Sequence, residues 1–305
     1  MTFTIIIATR NRCEDLRHTC EKLITLDPPP CEVLICGDAC TDATVEMLRS
    51  RFPRFKLIQN QTALGSIPSR DRLMRIAEGD VVLSLDDDSY PIDNDFLRKF
   101  ETIWAVHPAA AVITFPELRD QNQFSSPSKT SASPGHYVSA YANCAAAVRR
   151  EFYLSRPGFP HFFVHMYEEP DYALQCYAAG AQVWFEPSLV IRHHLSATHR
   201  DHLRRHHQNA RNELWSVWLR CPWPQLPFVS AFRVWRQFRY AWRQGITWAI
   251  REPIWWCQAL SGIPNCCSLR RPVPWHIYFS WMRLARRPLF DKQALRTLFH
   301  PAFTE

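Results

Sequence analysis

The chain has 305 residues, 47% of them hydrophobic and 21% charged, with a formal net charge of +7. That length allows one large domain, or a domain with an appendage, around a sizeable core. Its 11 cysteines contain no Cys-x-x-Cys, which excludes a zinc ribbon or dithiol motif and reads as reduced thiols in a cytosolic protein.

Met1 to Ile7 carries no basic leader and no small-residue cleavage site, so no signal peptide is expected. A spanning helix needs about 18 uninterrupted apolar residues, and no such run exists. Residues 3–8, rich in isoleucine, predict a buried strand. Residues 13–26 predict a helix with Leu16, Cys20, Leu23 and Ile24 on one face. Residues 32–36 predict a second strand, and Thr41 or Asp42 offers a cap for a helix over 43–51. A short strand follows at 56–59, a helix at 66–77, a strand at 81–85, a helix at 95–106 and a strand at 111–115. This alternation predicts an α/β fold with a mostly parallel sheet flanked by helices. From 117 to 141 Ser, Pro, Gln and Asn dominate, so a long loop is expected. A helix over 170–179, closed by Gly180, and a strand at 182–185 complete the pattern.

Asp86-Asp87-Asp88 is the most informative segment. Three adjacent acids repel one another unless a cation or solvent neutralises them. They follow a buried strand, which aims them at the carboxyl edge where open α/β sheets bind ligands. Oxygen ligands suit Mg²⁺ or Mn²⁺ with substrate phosphates; the plainer alternative is a solvated turn before Pro91. Asp38 ends the second strand on the same edge, placed to accept from a nucleobase or ribose, or else to make a turn. Glu168-Glu169-Pro170-Asp171 reads either as an ordinary helix start or as a general base at a helix N-terminus. His193 is a candidate metal ligand or phosphate contact.

The order of these motifs resembles family 2 glycosyltransferases, which have the GT-A fold. Ile5 to Arg12 looks like the family's opening strand and turn. Val33 to Thr44 looks like its second strand and acidic turn, and Gly65 to Asp80 like its Ala-Arg-Asn helix and Gly-Asp lead-in. Leu85 to Asp88 looks like its Asp-x-Asp segment, and Glu168 to Gly180 like its Glu-Asp-x-Asp helix. Phe185 to His193, with Ser196, looks like its closing strand and histidine. The resemblance covers about residues 3–215. It implies that Thr9, Arg10, Asp38 and Arg70 surround the nucleoside. It implies that Asp86 and Asp87 touch ribose and phosphate, that Asp88 with Asp86 and His193 holds Mn²⁺ or Mg²⁺, and that Glu169, with Glu168 as understudy, is the catalytic base. Arg10 replaces the family's aromatic, Gly37 stands where Asp is common, and Glu169 stands where Asp is commoner. Gln208-x-x-Arg211 resembles the signature of processive polysaccharide synthases, but Asn212 replaces its tryptophan, so single-sugar transfer is expected.

The activity implied is inverting transfer of one sugar from a nucleotide-diphosphate sugar to the hydroxyl of a saccharide or lipid-linked acceptor, in cell-surface polysaccharide or glycolipid synthesis. A sugar-nucleotidyl transferase would want a glycine-rich phosphate loop after the first strand, and Ala8 to Arg12 has no glycine. A non-catalytic membrane adaptor is disfavoured by intact Asp86, Asp88 and Glu169.

Residues 1–200 hold 20 basic and 24 acidic side chains, whereas 201–305 hold 16 and 5, and 10 of 12 tryptophans lie beyond 214. Two units are therefore expected: a catalytic domain over 1–215 and a helical Trp/Arg-rich region over 216–305. On a helix spanning 228–250, Phe232, Trp235, Phe238, Trp242 and Ile246 share one arc, and Arg233, Arg236, Arg243 and Tyr240 the next. This stripe reads as an anionic membrane surface site through 228–290, on the cytoplasmic face, or as packing on the core. No pattern points to nucleic acid. His199, His202, His206 and His207 crowd one segment; His202 and His206 share a face, without a third ligand for zinc.

Overall fold

The structure is a computed structural model that describes residues 1–119, 123–124 (backbone only), 134–194 and 201–299. The isoleucine run forms β1 (Phe3–Thr9), followed by α1 (Cys13–Leu23), β2 (Glu32–Asp38), α2 (Thr44–Arg51), β3 (Lys56–Asn60), α3 (Ser66–Ile76) and β4 (Val81–Leu85). Ala43 is the N-cap of α2, and Asp42, one residue before it, accepts from Thr44 N at 3.1 Å through Oδ1 and from Cys13 N at 3.2 Å through Oδ2. Then come β5 (Ser89–Pro91), α4 (Phe96–Val106), β6 (Ala110–Thr114), β7 (Glu117–Arg119), β8 (Gln123–Phe124), β9 (His136–Tyr137) and β10 (Ala145–Arg149). The chain continues through α5 (Arg150–Leu154), α6 (Glu168–Ala178), β11 (Gln182–Phe185) and β12 (Ile191–His193).

The main sheet has order β3-β2-β1-β4-β10-β6-β11-β9. Strands β3, β2, β1 and β4 run parallel, β10 runs antiparallel to both its neighbours, and β11 is parallel to β6. A second sheet, β5-β12-β7-β8, brings the segment after the acid triplet beside His193. The stretch expected as loop from 117 therefore contributes three short strands. Strands β7 and β9 are stabilised by partners distant in sequence, β12 and β11, which local composition does not reveal, and β8 pairs back on β7. Its residues 120–122 and 125–133, and Ser196 and His199 of the sequence analysis, lie outside the described residues.

Strands β1, β2, β4, β6 and β10 are buried on both faces, as their near-continuous apolar runs require. One core lies between the sheet and α1 and α4, around Ile5, Leu16, Phe96 and Phe100. The other lies on the opposite face against α3 and α6, and it extends into the C-terminal helices: Trp215, Ile277, Tyr278, Trp281, Leu295 and Phe299 share it with Ile6, Val112 and Tyr177. The rings of Tyr177 and Phe299 stack at 4.6 Å. Those helices are α7 (His202–Arg220), α8 (Leu226–Gln244), α9 (Ile246–Ala249), α10 (Glu252–Ser261), α11 (Ile263–Ser268), α12 (Trp275–Leu284) and α13 (Lys292–Phe299). The expected boundary at 215/216 thus falls inside α7. The single helix expected over 228–250 is broken at Gly245, whose φ of 125° a glycine adopts without strain. His206 pairs with buried Glu252 at 2.8 Å, at the start of α10.

Candidate active site

Parallel register places the ends of three strands on one edge: Thr9 lies opposite Gly37, and Ile7 opposite Leu85. Asp38 and Asp86 to Asp88 therefore emerge together at the carboxyl edge. The three acids of the triplet then part ways. Asp87 turns inward, where Thr9 Oγ1 donates to it at 2.7 Å and Arg12 Nε lies at 2.9 Å. Burial, with Asp88 and Asp86 adding repulsion, pushes its carboxyl up to about 7 against the pull of Arg12 and Thr9. It is an anchor between β1 and the triplet, and Thr9 is spent on it.

Asp88 is also buried and has two basic partners, Arg12 Nη2 at 2.6 Å and His193 Nε2 at 3.1 Å. Burial opposes its charge, and His193 and Arg12 outweigh that, so its carboxyl stays below the ordinary range. Asp86 is one-third exposed; one oxygen pairs with Arg70 and the other lies 3.9 Å from His193 Nε2. His193 Nδ1 bonds Glu117 Oε2 at 2.8 Å. Burial alone would lower the His193 pKa, but hydrogen bonds to Asp88, Cys144 and Glu117 raise it to about 12.

The ligand atoms of Asp86, Cys144 and His193 lie within 4.8 Å of one another. Burial pushes the Cys144 thiol up to about 12, and sulfur is a soft donor poorly matched to Mn²⁺ or Mg²⁺. The hard donors are the carboxylates of Asp86 and Asp88 beside an imidazole whose far nitrogen is held by Glu117. That far-side carboxylate is the arrangement that orients a metal-binding histidine. These residues fit Mn²⁺ or Mg²⁺.

Arg70, on α3 and nearly fully buried, joins this corner to the next. It pairs with Asp86 and lies 4.0 Å from Glu168 Oε1. Burial would lower its pKa, but the charges of Asp86, Glu168 and Glu169 raise it. At the start of α6, Glu168 is buried and accepts from Asn143 Nδ2 at 2.9 Å, while its Oε2 has no hydrogen-bond partner among the described residues. Glu169 is half-buried and receives a long contact, 3.4 Å, from Asn143 N. Burial, and next the charge of Glu168, hold its carboxyl well above the usual range.

Asp38 is less available than the sequence suggests. Its Oδ1 accepts from Asn60 Nδ2 and Leu64 N, and its Oδ2 from Gly65 N, so it organises the loop before α3. Arg10 is exposed, immediately after the end of β1. Sequence reasoning assigned no role to Glu117, Asn143 or Arg12. Glu117 and His193 are 76 positions apart, and only β7–β12 pairing joins them.

An α/β sheet with acids, a buried arginine and a histidine gathered at this edge defines a glycosyltransferase of the GT-A fold. The chain belongs to Glycosyl transferase family 2, whose model matches residues 4–186. Its sequence matches no curated protein significantly. GalNAc-T7, solved with UDP, GalNAc and Mn²⁺, has a TM-score of 0.59 at 13% identity, over 74% of this chain and 49% of that one. The mannosyltransferase PcManGT of Pyrobaculum calidifontis, with GDP-Man and Mn²⁺, gives 0.57 at 15%, over 99% and 86%. S. aureus TarS 1-349 with UDP-GlcNAc gives 0.62 at 16%, over 98% and 90%. The chain spans about half the length of the GalNAc-T7 structure. At these identities the likeness establishes the fold.

Proposed function

We propose that this chain is an inverting transferase that moves a single sugar from a nucleoside-diphosphate donor to an acceptor hydroxyl, with Glu169 as base. The carrying observation is the chain of contacts from His193 through Asp86 and Arg70 to Glu168, which sets a cation corner beside a carboxylate pair. Asp86, Asp88 and His193 would hold a divalent cation, which when bound stabilises charge growing on the leaving diphosphate. Arg70 supports the phosphates from a buried position, and Arg10 stands at the nucleoside side. Asp38 shapes the loop that flanks the nucleoside. Glu169 is the freer of the two glutamates, and its raised proton affinity suits it to accept a proton from a poorly acidic hydroxyl. Attack on the face opposite the leaving group inverts the anomeric centre without a covalent intermediate.

The structural neighbours bind UDP- and GDP-sugars, so a panel of both, with Mn²⁺, is the first test. One donor is expected to raise the melting temperature and to release nucleoside diphosphate only with metal present. No stabilisation by any donor, with or without metal, would sink the reading in favour of a non-catalytic fold.

The acceptor is read as saccharide or lipid-linked, presented at an anionic membrane surface. No helix among the described residues is long and apolar enough to cross a membrane. Helix α8 is instead built inside out. Phe228, Phe232, Trp235 and Trp242 are 76%, 46%, 50% and 59% exposed, while Gln237 is buried and Arg233 nearly so. Ile246, Ile250 and Ile254, beyond the break at Gly245, are exposed as well, and Arg239 lies over the Trp235 ring at 4.7 Å. Aromatics flanked by arginines suit a headgroup layer. On this reading 1–215 carries the chemistry and 216–305 braces and attaches it. Deleting the tail would open the shared core, so point changes are the better test. Trp235→Glu with Trp242→Glu is expected to abolish sedimentation with phosphatidylglycerol vesicles and to leave donor binding unchanged. Undiminished sedimentation, or a dimer buried through this face without vesicle binding, overturns the membrane reading.

A further inference from the structure

The backbone that presents Glu168 and Glu169 is strained. Val164, Met166 and Tyr167 take φ of 66°, 76° and 72°, in the left-handed region that disfavours residues with a Cβ, β-branched valine most of all. Such conformations persist only where the surroundings over-determine them. Much of that determination comes from one side chain outside the segment. Asn212, midway along α7 and fully buried, donates through Nδ2 to the carbonyls of Phe163 at 3.1 Å, His165 at 2.8 Å and Met166 at 2.8 Å. Arg211 Nε donates to Asn212 Oδ1 at 3.0 Å, which fixes the amide so that its donors face the loop. From the other side, α3 contributes Ile67 N to Val164 O at 3.1 Å, and Ser66 Oγ bonds His165 Nδ1 at 2.8 Å.

The adjacent residue holds the loop's last position. Tyr167 OH donates to Glu213 Oε1 at 3.2 Å. That buried carboxylate is held from α8 by Arg233 at 3.0 Å, by Gln237 Nε2 at 2.6 Å and by Arg236. Residues 212 and 213 thus grip the loop at one end and the inner face of α8 at the other. The same helix carries Trp235 and Trp242 on its outer face.

We propose that Asn212 and Glu213 are positioning residues: together they hold the strained 163–167 loop so that the carboxylate pair at the start of α6 is aimed into the cleft, and they make that aim depend on α8. This rests on the reading of Glu169 as base. None of the described hydrogen bonds of Asn212 or Glu213 reaches Asp86, Asp88 or His193, so the clamp bears on the acceptor side of the reaction and spares donor binding.

Asn212→Asp keeps the shape, removes both amide donors and sets a carboxylate against three carbonyls. Three quantities are measured on the full chain: amide exchange over 163–169, affinity for the donor selected by the panel with Mn²⁺, and kcat for hydrolysis of that donor. Exchange over 163–169 is expected to accelerate at least about tenfold. The kcat is expected to fall about tenfold or more, with donor affinity within about twofold of the parent. Tyr167→Phe, which deletes one hydroxyl and nothing else, is expected to show the same split in milder form, and it serves if Asn212→Asp fails to fold. Unchanged exchange over 163–169 overturns the proposal, as does an equal loss of kcat and donor affinity, which marks a general folding role. Glu169→Gln is measured alongside. If that variant keeps full activity, the base assignment fails, while the exchange data still decide whether Asn212 orders the loop.

Discussion

Glu169→Gln is expected to lower the transfer rate by a factor of about 10²–10⁴, the usual worth of a positioned general base. Donor affinity in the presence of metal should stay at the parent value. The glutamine is isosteric and still accepts from Asn143 N, and the cation corner at Asp86, Asp88 and His193 is untouched. The same substitution should raise stability at neutral pH. In the folded protein Glu169 has a carboxyl well above its ordinary 4.5, because burial and then Glu168 disfavour its charge. Between the unfolded and folded values the native state holds more protons than the unfolded one, so stability falls as pH rises through that window. Removing the charge removes that loss. A variant that is slower and melts higher is the pattern of a side chain kept for function at a cost to the fold. Activity of the parent should rise with pH through the elevated value. Glu168→Gln, by deleting the neighbouring charge, should move that limb to lower pH. A Glu169→Gln enzyme with the parent's kcat removes it as base.

Much of this site is legible in the sequence because it sits at strand ends. Ile5 to Ile7 and Val81 to Leu85 are apolar runs whose length fixes where each strand stops, and parallel pairing brings Asp38 and Asp86 to the same edge. What each acid then does is decided across the fold. Asp38 meets the amides of Leu64 and Gly65 only because the loop before α3 folds back over β2. Asp87 belongs to Thr9 and Arg12, from a different strand and turn. Glu117 lies in a stretch whose composition reads as loop, and it becomes part of a strand through β12. The C-terminal region illustrates the same limit. Its Trp/Arg pattern marks an amphipathic surface, but the helical projection does not reveal which face turns inward. The answer depends on Glu213, a buried carboxylate that draws Arg233 and Gln237 to the inside and leaves the tryptophans outside.

Removing donors from the cation corner should have the second large effect, and the order of the losses separates binding from folding. Asp88→Ala is expected to abolish metal-dependent nucleotide binding. It also takes one carboxylate from the buried His193 and the half-buried Arg12, which keep Glu117 and Asp87, so a modest fall in stability accompanies it. Asp86 is one-third exposed but is the main countercharge of buried Arg70, so Asp86→Asn should lose Mn²⁺ and also cost stability, softened because the amide oxygen still accepts from the guanidinium. Glu117→Gln probes one shell further out: it keeps a hydrogen-bonding partner for His193 Nδ1 and removes the charge. A cost of about 10–100-fold in Mn²⁺ affinity is expected for that change, because the carboxylate behind a ligating imidazole orients the ring and strengthens it as a donor. Titration calorimetry of Mn²⁺ into enzyme with nucleoside diphosphate gives all three values, with thermal melts as the control. If Glu117→Gln and Asp86→Asn both bind Mn²⁺ as tightly as the parent, His193 and Asp86 are an internal ion-pair network, and the cation is held elsewhere or not at all.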